Sequence, residues 1–142
     1  MGFSGPFEDR FEINELVAEY GDAESRRDKD GFAGTWAEDG VWHLPWLDPV
    51  QGRQNIADVW EEQIANYPFH NFRGYLGSLD VDGDRAKGRL WTSELVENSQ
   101  GKSGVVTGLY EDEFVKCNGK WLFSKKSFTP HHGMDTIVTE DS

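Results

Sequence analysis

The stretch Phe72-Arg73-Gly74-Tyr75-Leu76-Gly77-Ser78-Leu79-Asp80-Val81-Asp82-Gly83-Asp84 decides the fold class. Residues 72–81 read as a strand, and Asp82-Gly83-Asp84 reads as a tight turn that sends the chain back on itself. The same rhythm then repeats. Ala86–Glu97 is a strand, Asn98–Lys102 a turn, Val105–Lys116 a strand, Cys117-Asn118-Gly119 a turn and Trp121–Thr129 the last strand. An Asn-Gly pair between two such runs suits a hairpin. Strands joined by turns this short pair antiparallel.

Ahead of these strands the period changes. Residues 1–8 read as a loose arm, and Asp9 with Glu12 has capping-box spacing at the start of a helix. Ile13, Leu16, Val17 and Tyr20 give that helix an apolar face, and its last turn adds Glu24. Arg26, Arg27 and Lys29 lie at its C-terminal end, where cations suit the dipole. Asp28 is placed to cap a second short helix that carries Phe32 and Trp36 one turn apart and ends at Gly40. Val41–Trp46 reads as a short strand with Pro45 at its edge or end. Arg53–Asn66 forms a third helix with Ile56, Val59, Trp60 and Ile64 as its stripe, and Pro68 ends it. The order predicts an α+β domain in which a strongly bent antiparallel sheet packs three N-terminal helices on one face and encloses a cone-shaped pocket. The whole chain, 1–142, reads as a single domain, with residues 134–142 as a mobile polar tail.

The 142 residues carry 14 Lys and Arg against 26 Asp and Glu, a net charge of −12. That charge excludes a nucleic acid or an anionic membrane surface as partner, since both need a basic patch. Six tryptophans, nine phenylalanines and four tyrosines make 13% of the chain aromatic, so it folds rather than staying disordered. The same rings can line a cavity for a small-molecule substrate. One cysteine, Cys117, rules out an internal disulfide and a cysteine-rich zinc site. With no basic, apolar leader and no long apolar run, the expected location is the cytoplasm.

A series of short motifs now gains meaning from its order. It runs Leu16-Val17-Ala18-Glu19-Tyr20, Arg27-Asp28-Lys29-Asp30-Gly31-Phe32, Trp36-Ala37-Glu38-Asp39-Gly40-Val41-Trp42, Gly52-Arg53, Asp82-Gly83-Asp84-Arg85-Ala86, Tyr110-Glu111-Asp112-Glu113-Phe114 and Asn118-Gly119-Lys120-Trp121-Leu122-Phe123. Together they make residues 12–128 resemble the SnoaL-like branch of the nuclear transport factor 2-like superfamily. Within it the chain looks like the cofactor-free lyases, of the scytalone dehydratase, bile acid 7α-dehydratase and dehydrochlorinase type. The resemblance implies a cone-shaped (NTF2-like) α+β barrel, a homo-oligomer (trimer or dimer), and a pocket that takes a proton from carbon and expels a leaving group. It also implies a tyrosine and, five residues later, an aspartate on the first helix, and a histidine at the start of the first long strand. Tyr20 matches the tyrosine, the aspartate position falls on Ser25, and the histidine falls on His70 or, by ungapped count, on Asn71.

These positions carry usable chemistry. A histidine is the natural base near neutral pH, and His70 lies among apolar neighbours in Phe69-His70-Asn71-Phe72. Glu24 shares the Tyr20 face and is one residue from Ser25, so it can stand in for the missing aspartate as the partner that orients His70. Tyr20 can donate to a developing oxyanion, and Tyr110 can play the same part. Lys126, at a position often Arg in the family, can pair with an acidic substrate group. Trp42, Trp46, Phe69, Trp91, Tyr110 and Phe128 are the rings expected around the ligand, with Asn71 beside them. His43, next to Trp42 on a strand, should face the other way. His131 and His132 are adjacent and diverge, so no metal site is expected there. The sequence holds no phosphate loop, dinucleotide fingerprint or nucleophile elbow, and a cofactor has no obvious seat.

Two readings follow. One is a cofactor-independent lyase or isomerase, with dehydratase- or retro-aldol-type chemistry on an aromatic or polycyclic molecule, or a polyketide cyclase using the same acid–base logic. The other is a non-catalytic ligand-binding or assembly subunit.

Overall fold

The computed structural model describes residues 2–137. Its elements run β1 (Phe3–Ser4), α1 (Phe7–Arg26), α2 (Lys29–Gly34), β2 (Trp36–His43), β3 (Val50–Gln51), α3 (Arg53–Ile64), β4 (Phe69–Asp82), β5 (Arg85–Glu97), β6 (Ser103–Cys117), β7 (Lys120–His132) and α4 (Met134–Ile137). Seven strands form one sheet in the order β1-β4-β5-β6-β7-β2-β3. The four long strands are antiparallel neighbours, while β1 joins β4 and β2 joins β7 in parallel, so the curled sheet is mixed and stays open. Register shifts at Leu76/Ser78 on β4 and at two places along β6–β7 are bulges of the kind that bend a sheet. Asn118 (φ 52°) and Gly119 (φ 78°) make the left-handed pair that a β6–β7 hairpin turn requires.

Helix α1 lies on β4 through Ile13, Leu16, Val17, Tyr20 and Ala23. At Gly21 a Cβ would stand 3.0 Å from the Phe72 ring, so glycine lets the helix come this close. The aromatic core is continuous: Tyr20 packs on Phe32, Phe72 and Phe123, and Phe32 stacks on Trp60 at 4.3 Å. Two tethers hold the helices in place. Arg27, the left-handed residue that closes α1, donates to the carbonyls of Ile64, the last residue of α3, and of Tyr67 beyond it. Lys29 pairs with Asp58 and Glu61 of α3.

The structure departs from the sequence reading at both ends and at one tryptophan. The arm contributes β1, and α1 starts at Phe7 behind Pro6. Asp9 therefore caps nothing; its carboxylate accepts from Trp121 Nε1 (3.0 Å) and Lys116 Nζ (3.2 Å), pinning α1 to the β6–β7 hairpin. Trp36 does not extend α2. Thr35 Oγ1 donates back to the Phe32 carbonyl and ends the helix, and Trp36 opens β2 opposite Phe123. Gly40 then lies within β2, not at a helix end. Of the expected tail, 134–137 form α4, and 138–142 lie outside the described residues. Among the described residues no helix is long and apolar enough to cross a membrane.

Gly108 on β6 shows how tightly the sheet is fitted, since a Cβ there would stand 2.5 Å from the Phe128 ring and 2.9 Å from the Thr129 carbonyl. Gly108→Ala must displace that ring or bend β7. It should cost ~1–3 kcal/mol of stability, read as a lower urea midpoint with an unchanged slope. An unchanged midpoint would show that Phe128 moves freely.

Candidate functional site

Between the sheet and α3 lies a cavity of about 100 Å³. Trp42, Leu44, Trp60, Ile64, Val96, Val106, Tyr110 and Phe128 give it apolar walls, and half-exposed Trp46 stands at its edge. Glu24, Gln63, His70 and Glu94, with the phenol of Tyr67, add polar groups to the lining.

The pleat explains who points inward. On β4, His70 and Phe72 are buried while Phe69 and Asn71 fall on the other side. Glu94 faces Phe72 across the ladder, which puts it diagonal to His70. His70 Nε2 and Glu94 Oε1 are 2.8 Å apart. If the proton on Nε2 is the one shared with Glu94, the lone pair of a neutral ring sits on Nδ1, which is buried and has no hydrogen-bond partner among the described residues. Glu24 reaches the same place from the last turn of α1. It is 4% exposed, and its Oε2 also has no partner. One polar atom from each of Glu24, His70 and Glu94 falls within 4.8 Å of the others.

Burial pushes the Glu24 carboxyl up to about 8; the Glu94 carboxylate adds to the rise, while His70, Lys126 and the Trp60 indole N–H oppose it. For His70, burial works against the imidazolium. The hydrogen bond to Glu94 and the charges of Glu24 and Glu94 outweigh it, and the pKa lies above the ordinary histidine value. Tyr110 accepts a hydrogen bond from Trp42 Nε1 (3.2 Å), so its own O–H is left to donate. Burial, with the nearby carboxylates, lifts the pKa of this phenol well above the usual range and keeps it protonated.

The structure brings Glu24, His70, Trp42, Trp46, Tyr110 and Phe128 to the cavity, and it adds Glu94, Trp60 and Gln63, which the sequence reading did not single out. It does not bring the other expected residues there. Asn71 Nδ2 donates to Ser25 Oγ (3.2 Å), which also accepts from the Phe72 N–H (3.0 Å), and this contact clamps α1 to β4 away from the cavity. Phe69 is half-exposed, and Trp91 sits beyond the sheet with its ring against His131 at 5.4 Å. Tyr20 is wholly buried in the ring stack, with no partner for its hydroxyl. Lys126 is wholly buried too. Its Nζ donates to Asp112 (2.9 Å) and lies 3.9–4.5 Å from the ring centres of Phe123, Tyr110 and Tyr20. It is not part of the cavity lining. His43 is absent from the lining, while Trp42 is in it.

Comparison with known proteins adds a family to this geometry. The SnoaL-like domain model matches residues 6–127. Gamma-hexachlorocyclohexane dehydrochlorinase of Sphingobium indicum is 26% identical over 137 residues, covering 88% of this chain and 85% of that one. An uncharacterised protein of Mycobacterium tuberculosis is 26% identical over 121 residues, covering 83% and 82%. The crystal structure of a putative scytalone dehydratase from Novosphingobium aromaticivorans superposes with a TM-score of 0.83 at 17% identity, covering 93% and 90%. That last likeness speaks for the fold alone.

The Glu24 carboxyl binds its proton more tightly in the folded chain, where its pKa is about 8, than in the unfolded one, where it is 4.5. Its contribution to stability is therefore present at low pH and is lost as pH rises between those values. His70, with its raised pKa, acts with the same sign at pH above 6.5. Wild type should lose more stability between pH 5 and pH 9 than Glu24→Gln does, measured by urea unfolding at both pH values. Equal losses would remove Glu24 as the source.

Proposed function

The chain belongs to the SnoaL-like family, and from that premise we propose that it is an acid–base lyase or isomerase for a small hydrophobic molecule carrying a ring and a carbonyl group. The observation that carries this reading is the His70 ring, hydrogen-bonded to a carboxylate through Nε2, partnerless at Nδ1, and set in an aromatic-walled cavity. Glu94 fixes the ring and stabilises the imidazolium that forms when Nδ1 takes a proton from carbon. The Tyr110 hydroxyl, steadied by Trp42, donates to the carbonyl oxygen as negative charge gathers there. This assigns to Tyr110 the part that the family match gave to Tyr20, because Tyr110 lines the cavity and Tyr20 does not.

Size narrows the substrate. An apolar cavity of about 150 Å³ holds one benzene ring. At about 100 Å³ this cavity is smaller than that, so even a single ring must use its open side, and a polycyclic substrate would have to leave its remaining rings at the mouth beside Trp46. The dehydrochlorinase relative supports a reaction that starts by breaking a C–H bond. A metal ion is no part of this reading. In it both ring nitrogens of His70 are in use, Nε2 on Glu94 and Nδ1 as the base.

The test is deuterium wash-in at the carbon next to the carbonyl of cyclohexanone in D2O, which needs a base and an oxyanion donor but no leaving group. Wild type should exchange. His70→Asn should slow exchange by ~100-fold or more, and Tyr110→Phe by ~10–100-fold. Tyr20→Phe should change it by less than ~10-fold. Exchange by His70→Asn at the wild-type rate would end the proposal.

A further inference from the structure

We infer that Glu24 is the general acid of this site, handing its proton to a departing hydroxyl group, so that the reaction is the dehydration of a single-ring β-hydroxy carbonyl compound rather than the loss of a halide. The inference rests on the acid–base reading above and gives it a leaving group.

The argument begins with charge. Two carboxylates, Glu24 and Glu94, share a buried cluster with one imidazole. The nearest ammonium, Lys126, is already paired with Asp112, both side chains being 0% exposed. The Arg27 guanidinium is bonded to the Ile64 and Tyr67 carbonyls. With both carboxylates ionised, the cluster would hold an excess negative charge away from water, which is costly. With the His70 ring neutral, as the base must be, one proton on a carboxyl halves that charge, and the hydrogen bonding says where the proton sits. Glu94 has His70 as its partner and is 19% exposed at its side chain. Glu24 is more deeply buried, its Oε2 makes no hydrogen bond, and the Trp60 indole N–H beside the carboxyl offsets the burial only weakly. A carboxylic acid with a free O–H at the wall of a cavity is placed to donate. Its ionisation behaviour agrees: burial first, then Glu94, favour the protonated form, against His70, Lys126 and the Trp60 indole N–H. Tyr20 on its own helix, Tyr110 on β6 and Tyr67 in the cavity wall are the phenols around it, and burial with the nearby carboxylates raises the pKa of all three.

The step balances within these residues. His70 takes the proton from the carbon next to the carbonyl, and that bond pair becomes the new C=C bond. The C–O bond breaks, and the departing oxygen takes the Glu24 proton and leaves as water. Imidazolium and carboxylate are left behind. Their polar atoms lie within 4.8 Å, a span that the water just released bridges, so the proton can pass through it from His70 back to Glu24 and restore the starting state. A chloride ion leaves without a proton and gives Glu24 nothing to do.

Two measurements decide it, both on the full chain. The first is infrared difference spectroscopy at pH 7. Wild type should show the C=O stretch of a protonated carboxyl that is missing in Glu24→Gln. The second compares water loss from 3-hydroxycyclohexanone with deuterium exchange into cyclohexanone. In Glu24→Gln the ratio of elimination to exchange should fall by ~100-fold, with partial recovery in Glu24→Asp. Should Glu24→Gln fail to fold, wild type alone answers, because elimination should be lost as pH rises through about 8 while exchange continues. No carboxyl band at pH 7, or an elimination-to-exchange ratio within ~3-fold of wild type in Glu24→Gln, overturns the general acid and leaves the base reading standing. Failure of wild type to exchange cyclohexanone overturns the base reading, and the acid falls with it.

Discussion

A hydrogen bond between His70 and Glu94 is possible only in one register of β4 on β5. The two residues are diagonal neighbours, Glu94 lying opposite Phe72. Side chains alternate along a strand, so a slip of β4 by one residue would turn His70 away from Glu94 and the cavity and bring Phe69 or Asn71 inward. The inner rows on either side hold the register. Phe72, Leu76 and Leu79 on β4, and Leu90, Thr92 and Val96 on β5, are all buried. The same rows exclude water from the imidazole. Packing energy and site geometry are thus one constraint, since the burial that fixes the register is the burial that perturbs Glu24 and His70.

A second buried charge pair lies beneath the first cluster. Lys126 and Asp112 are fully enclosed, and three aromatic rings surround the ammonium. Taking two charges out of water costs several kcal/mol per ion, about as much as their attraction returns, so such a pair specifies a packing more than it stabilises one. Burial pushes the Asp112 carboxyl up to about 6 and the Lys126 ammonium down, while their pairing opposes both shifts. The pair also acts on the site from a distance. The Lys126 charge favours the ionised form of Glu24, but its own partner blunts that effect, and the Glu24 proton survives.

Much of this was legible in the sequence. The period-two rhythm with its Asp-Gly-Asp and Asn-Gly turns gave four strands to within a few residues, and the stripe Ile13, Leu16, Val17, Tyr20 gave α1 its inner face. Trp36 was misread because its spacing from Phe32 fits a helical turn as well as it fits a strand that starts where Thr35 ends the helix. Glu94 was missed although a signal existed: it stands in the same parity as Leu90, Thr92 and Val96, and a carboxylate in the inner row of a strand needs an explanation. The same parity separates His70 from Asn71, since only His70 shares a face with Phe72. It also sets Trp91 and Phe69 on the outer face. Aromatic character suggested that these two rings lined the pocket, but a ring's identity carries no information about which way the pleat turns it.

Tyr20 and Glu24 show where sequence spacing stops being informative. They are one helical turn apart on one face, and spacing alone gives both an equal claim on the cavity. The aromatic stack breaks the tie. Phe32, Phe72 and Phe123 close around the Tyr20 ring at 5.2–5.3 Å and seal it into the core. One turn further on, the helix reaches the point where Arg27 ends it, so Glu24 meets the imidazole and the cavity instead of another ring. A helix ending one turn earlier would leave His70 with Glu94 alone. The length of α1, set by the left-handed Arg27 and its hold on the Ile64 and Tyr67 carbonyls, therefore decides whether the site holds one carboxyl group or two.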